Sequence, residues 1–254
     1  MLWVEDESVD RGGPERAVSD LLGSPARPQY HLDKAARILA VDADFLNDEP
    51  GHVGYARAFS KGRRVRNQAE AEQMSRLYAV ESRFSLTGTM ADHRFRLSTG
   101  NMTAFLAAVC AAALEQSGGD PRLADFLRDR SAGLPVPAEW IEACVRDLLE
   151  HRGQSLVLPG SHLPEEAQYL AVFLNQLLQA ESNTLDYLAL PEMETNGLPR
   201  LAEAVRSEGV ESLLILGGNP VYDAPADLDW VSVQKQVPEV IRFGYYFDET
   251  SVEA

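Results

Sequence analysis

Apolar residues recur along the chain in two alternating rhythms. The first is a short unbroken run. Residues 37–45 read RILAVDADF, apolar at the start and acidic at the end. A run of that kind predicts a strand buried on both faces. Five more follow, at 76–82 (RLYAVES), 155–160 (SLVLPG), 185–191 (LDYLALP), 211–218 (ESLLILGG) and 239–246 (EVIRFGYY). The second rhythm is helical. HVGYARAFSKGRR reads as a helix with a basic end, and AEAEQMSR as a shorter one. Residues 102–116, MTAFLAAVCAAALEQ, form a helix rich in Ala and Leu, stopped by Ser117-Gly118-Gly119. Proline opens the helix at 121–129, and Pro137 precedes another that closes at Gly153. Further helices are predicted over 164–181, 198–209 and 227–236. Strands and helices alternate, which predicts an α/β fold: a mostly parallel open sheet with helices on both faces. Residues 1–30 show no periodicity. Gly12-Gly13-Pro14 and Ser24-Pro25-Ala26-Arg27-Pro28 are breakers. The expectation is an irregular segment over 1–30 and one α/β domain over 31–254, with no internal repeat.

Composition narrows the function classes. The chain has 254 residues, 45% of them hydrophobic, which is enough for a sizeable core. No stretch approaches the roughly 18–20 apolar residues of a membrane helix, so no direct membrane insertion is expected. The first residues, MLWVEDESVDRGGPER, lack the basic start and apolar centre of a signal peptide. The formal charge of −16 disfavours nucleic acid as a partner, because phosphate neutralisation needs a basic surface. It suits solubility, and it would steer a basic protein. Cys110 and Cys144 both lie in helical patterns, and no CxxC occurs, so the chain offers no iron–sulfur or zinc framework. Both are expected as core thiols.

Candidate chemistry sits at the carboxyl ends of the strands, where open α/β sheets hold ligands. Those ends carry Asp42 and Asp44, then Glu81, Ser82 and Arg83, then Gly160 and Ser161, then Gly217, Gly218 and Asn219. Glycine would let backbone amides approach a ligand closely, and asparagine offers both a donor and an acceptor. LILGGNP is not GxGxxG, however, and no GxxxxGK[ST] occurs, so a Gly-Gly turn is the competing reading. Asp42 and Asp44 flank Ala43 and would share a face of an extended strand, able to hold a cation or act as acid and base. The more ordinary role is to cap a helix or face solvent. Asp92-His93 would suit proton transfer. No GxSxG nucleophile elbow is present. The evident catalytic set is therefore empty.

Five segments together carry a resemblance: HLDKAARILAVDADFL, GHVGYARAF, RLYAVESRFSLTGTMADHRFRL, LILGGNPVYDAPADLDW and VPEVIRFGYYFDET. The chain from about His31 to Glu253 resembles the molybdopterin-oxidoreductase-like domain of the large iron–sulfur subunit of alternative complex III. That family is also labelled TAT-variant-translocated molybdopterin oxidoreductase. YAVES…TGTMADHR and GGNPVYDAPADL are the most specific pieces. The resemblance implies the Rossmann-like core of the molybdopterin oxidoreductase superfamily, whose true enzymes hold a pterin guanine dinucleotide on the corresponding loops. In the complex III subunit the domain is a vestigial scaffold without molybdenum, and the iron–sulfur clusters belong to a C-terminal domain absent from this chain. The implied setting is a bacterial respiratory quinol:electron-acceptor oxidoreductase. The implied partners are the other subunits of that membrane-bound complex, at the periplasmic face of the inner membrane.

Two readings therefore compete. In one the chain is a non-catalytic scaffold, and Asp42, Asp44, Glu81, Ser82, Arg83, Gly160, Gly217, Gly218 and Asn219 mark a vestigial site. In the other it is a molybdopterin-dependent or nucleotide-binding oxidoreductase using the Gly217–Asn219 loop. The acidic strand-end loops (DADFLNDE, GGNPVYDAPADLD) favour the scaffold, because they would repel an anionic dinucleotide.

Overall fold

The computed structural model describes residues 1–191 and 197–254. The chain forms two compact units, where the sequence pattern suggests one domain over 31–254. The larger spans Arg11–Pro191, and the smaller joins Met1–Asp10 to Glu192–Ala254.

The larger unit is built on β2 (Arg37–Val41), β3 (Arg76–Glu81), β4 (His93–Arg96) and β5 (Ser155–Pro159). They form one parallel sheet in the order β4-β3-β2-β5. The α/β sheet with helices on both faces is the fold class the alternating pattern predicts. Each central strand is apolar throughout because its two faces feed different cores. Leu39, Val41, Tyr78, Val80 and Val157 pack against α5 (Met102–Ser117), α6 (Pro121–Arg130), α7 (Ala138–Glu150) and α8 (Glu165–Leu177). Ile38, Ala40, Leu77, Leu156 and Leu158 face the opposite core, with Phe59 from α2 (His52–Gly62) and the loop residue Phe45. α3 (Gln68–Glu72) and α4 (Leu86–Thr89) are short connectors. α5 is buried almost all round, which explains its Ala-rich sequence. Cys110 and Cys144 are free and buried, as expected of core thiols, and burial pushes the Cys110 thiol up to about 12.

Residues 1–30 are not irregular throughout. They contain α1 (Gly13–Leu22) and β1 (Ala26–Tyr30). The supposed breakers frame the helix: Pro14 lies in its first turn, where no amide partner is needed, and Gly23 caps its end at φ 67°. β1 then pairs antiparallel with β6 (Leu185–Ala189), a small second sheet that the run at 185–191 could not specify alone. The stretch after Asp92, which carries no apolar run, is β4 at the edge of the main sheet.

The smaller unit contains α9 (Leu198–Ser207), β7 (Ser212–Leu216), α10 (Pro220–Asp223), α11 (Trp230–Gln234), β8 (Glu239–Phe243) and α12 (Glu249–Val252). β7 and β8 pair in parallel, with Leu214 opposite Ile241 and Leu216 opposite Phe243. Leu198, Leu201, Ala202, Val205, Trp230 and Val233 form its core, joined by Leu213 and Val240 from the sheet. The alternate residues point the other way: Leu214, Leu216, Ile241 and Phe243 are all more than half exposed.

Candidate functional site

The order of the main sheet fixes where a site can form. From β2 the chain adds β3 and β4 on one side, then crosses through α5–α7 to place β5 on the other. The order thus reverses between β2 and β5, the position at which α/β sheets open a ligand crevice. Gly160 follows β5 there. A Cβ on it would stand 2.4 Å from the Asp42 carbonyl oxygen and 2.8 Å from His162 Cε1. Only glycine allows the two strand ends to meet this closely.

Asp42 is the centre of the strand-end loops. It leaves β2 with φ 50°, a left-handed turn that is strained for a residue with a side chain. Its carboxylate accepts hydrogen bonds from the Ser82 amide (2.9 Å) and hydroxyl (3.0 Å) and from Thr99 Oγ1 (2.7 Å). His162 Nε2 lies 3.4 Å away. Elements following β2, β3, β4 and β5 are thus joined through one side chain. Burial alone would raise the Asp42 pKa, but hydrogen bonds from His162, Ser82 and Thr99 outweigh it and hold the carboxyl at about 2. The bond to Asp42 raises His162 above its ordinary value, against the opposing effect of burial. The pair is therefore ionic in mildly acidic water.

Asp44 does not share a face with Asp42. β2 ends at Val41, and the left-handed turn at Asp42 sends the two carboxylates apart. Asp44 is buried and accepts from the Thr87 amide (3.0 Å) and hydroxyl (2.9 Å). Its carbonyl receives the amides of Asn47, Asp48 and Glu49, which shapes the loop before α2. Glu81 is buried at the end of β3 and accepts from Arg94 Nε and Ser85 Oγ. Gly88 makes room for it, since a Cβ there would fall 1.9 Å from Glu81 Oε1. Arg83 reaches outward to Asp48 at 2.9 Å, and Arg11 pairs with the same carboxylate. Asp92 is not paired with His93. It takes a two-pronged bond from Arg63 (2.6 and 3.0 Å), while the His93 ring stacks on Tyr78.

The Gly217-Gly218-Asn219 loop belongs to the smaller unit and is a turn held from within. Both glycines have positive φ, 68° and 62°, which suits glycine alone. The Arg242 guanidinium donates to the Gly217 carbonyl (2.9 Å) and the Gly218 carbonyl (2.6 Å), and it pairs with Asp248 at 2.8 Å. That contact, with help from Ser251, holds the Asp248 carboxyl at about 2. Asn219 Nδ2 donates to Glu249, and Asn219 Oδ1 accepts from the Thr250 amide and hydroxyl. Nothing lies within 4 Å of a Cβ built on either glycine. Positive φ, not close approach to a ligand, explains the two glycines.

Thr87, Arg94, Thr99, His162 and Arg242 complete these networks and were not singled out by the sequence pattern. The one available signal was position: Thr99 and His162 each follow a strand end by three residues. Among the described residues, no group of three or more His, Cys, Asp or Glu side chains is placed to hold a metal ion. Nor is any helix among them long and apolar enough to cross a membrane.

Fold and strand-end loops define an α/β protein built on a parallel four-stranded sheet with helices on both faces. No family model matches the sequence, and no curated protein matches it. Among solved structures the chain is similar to acetylene hydratase from Pelobacter acetylenicus, with 11% sequence identity and a TM-score of 0.67. The match covers 96% of this chain and 42% of that one, so the chain spans less than half the length of the enzyme it resembles. At this identity the likeness is one of fold.

Proposed function

We propose that the chain is a non-catalytic scaffold domain of a bacterial respiratory quinol:electron-acceptor oxidoreductase of the alternative complex III type. The family resemblance of the five sequence segments points to it. The observation that carries the non-catalytic part is the state of Asp42. A pterin guanine dinucleotide brings phosphate charge to strand-end loops and needs free amide donors and cations there. Here a carboxylate that stays ionised down to about pH 2 occupies the loop and takes the Ser82 amide for itself. Arg83, the cation best placed by sequence, is engaged by Asp48. These residues do not fit the dinucleotide, so no catalytic step is assigned to it.

The smaller unit supports a role in assembly. Its exposed β7–β8 face sets Leu214, Leu216, Ile241 and Phe243 side by side, the kind of apolar patch that marks contact with another polypeptide. Residues 1–10 and 192–254 hold 16 Asp and Glu against 4 Lys and Arg, a formal −12 of the chain's −16. In this reading the partners are the other subunits of the complex at the periplasmic face of the membrane, and iron–sulfur clusters reside outside this chain. Metal and pterin analysis of the purified chain tests it. The reading predicts neither molybdenum nor pterin, and stoichiometric amounts of either would overturn it.

A further inference from the structure

A cleft of about 450 Å³ opens in the larger unit beside the amino terminus of α2, within the size range of small-molecule sites. Its wall is made by Arg27 and Tyr30 of β1, Glu49 and Gly51 before α2, Tyr55 on α2, and Ser161 after β5. We infer that this cleft binds a small zwitterion of α-amino-acid size. The ammonium would sit on Glu49, and the carboxylate on Arg27 and the first amides of α2.

Four observations carry the inference. First, Ser161 is 3% exposed and lines the cleft, yet its hydroxyl makes no aligned hydrogen bond to protein, although it stands beside the Glu49 carboxyl. A buried hydroxyl left in that state marks a place for a polar ligand atom. Second, Glu49 is half-buried, and Ser161 alone among the described residues donates towards its carboxylate, with the amide 3.2 Å from both oxygens. A carboxylate has about four lone-pair sites, so most of its accepting capacity is unmet. Burial accordingly raises its pKa, partly offset by Ser161, His162 and Arg11. Third, Gly51 precedes α2 and offers no side-chain cap, and the first i to i−4 bond of the helix runs from the Tyr55 amide to the Gly51 carbonyl. The Val53 and Gly54 amides are left as donors at the positive end of the helix. Fourth, Arg27 makes no salt bridge among the described residues, and its charge and that of Glu49 both act on the Tyr55 phenol.

The cleft is thus acidic at one end and positive at the other, with Tyr55 between. A simple anion would meet Glu49, and a simple cation would meet Arg27 and the helix dipole. A zwitterion satisfies both. The rings of Tyr30 and Tyr55, 6.0 Å apart and tilted by 54°, give an apolar wall for its side chain and a face for its ammonium. This site stands apart from the scaffold reading, since binding by the isolated chain neither requires nor excludes assembly.

Titration calorimetry at low salt tests it with three related probes. They are L-phenylalanine, 3-phenylpropanoate, which lacks the ammonium, and 2-phenylethylamine, which lacks the carboxylate. The expected result is that L-phenylalanine binds at least about tenfold more tightly than either analogue. Glu49→Gln should remove that advantage over 3-phenylpropanoate. Arg27→Met, at an exposed position that does not threaten folding, should weaken L-phenylalanine and 3-phenylpropanoate alike. No binding of any probe would overturn the proposal. So would 3-phenylpropanoate binding as tightly as L-phenylalanine, or unchanged affinity in the Arg27 variant.

Discussion

Gly160→Ala tests the geometry of the switch point directly. The added methyl would lie 2.4 Å from the Asp42 carbonyl oxygen, 3.0 Å from its carbon and 2.8 Å from His162 Cε1. Two of these atoms are backbone and cannot rotate away. Overpacking of this kind costs about 1–3 kcal/mol. Relief by movement would break the bond from the Gly160 amide to the Val41 carbonyl, 2.8 Å long, which ties the end of β5 to β2. That adds about 1 kcal/mol. The expected loss is therefore about 2–4 kcal/mol, a fall of roughly 1–2 M in the urea midpoint for a slope near 2 kcal/mol/M. Trp140 packs against Tyr78, Phe95 and Phe105, so its fluorescence follows unfolding of the larger unit. Gly153→Ala is the control. It has φ 76° and nothing within 4 Å of its Cβ, so it should cost only the conformational strain, about 1 kcal/mol. A Gly160 variant no less stable than the Gly153 variant would refute the reasoning.

Three further outcomes are expected. Because His162 is raised by Asp42 and Asp42 is lowered by His162, their stabilisation is complete between about pH 4 and 6.5; it is lost upward as His162 deprotonates and downward as Asp42 takes a proton. In NMR titrations Asp42→Asn should bring His162 back down towards its ordinary value, and an unmoved His162 would contradict the pairing. Gly218→Ala should destabilise the smaller unit by about 1 kcal/mol through φ 62° alone, measured by the urea midpoint. Asp147 accepts from Arg37, Arg76 and Tyr78 at 2.7 Å each, so Asp147→Asn should cost about 2–3 kcal/mol in chemical denaturation, below the full buried-pair value because Arg76 is partly solvated.

The central strands were legible because both their faces are buried, and the runs of β6, β7 and β8 because alternate residues of each pack, buried or half-buried, against a core. β1 and β4 were not, because ARPQY and HRFR are edge strands with polar sequences and only partial burial. α1 was hidden by its own punctuation, since the same Gly and Pro residues that break a pattern also begin and end a helix. Of the candidate site, the strand-end positions were readable but their partners were not. Asp42 meets residues 40, 57 and 120 positions away, and only the order β4-β3-β2-β5 brings them together. The divergence of Asp42 from Asp44 depends on a left-handed residue that the DAD pattern does not announce. The turn reading of Gly217-Gly218 was available from sequence, whereas its clamp by Arg242 comes from the parallel pairing of β7 with β8.

The central claim is that the chain serves as a scaffold inside a respiratory assembly. Native mass spectrometry of the tagged chain, isolated from detergent-solubilised membranes of its source organism, tests it most directly. The account predicts that the chain appears as one component of a multi-subunit particle that contains iron, lacks molybdenum and oxidises quinol. A chain recovered alone, or one carrying a stoichiometric molybdenum–pterin group of its own, would contradict it.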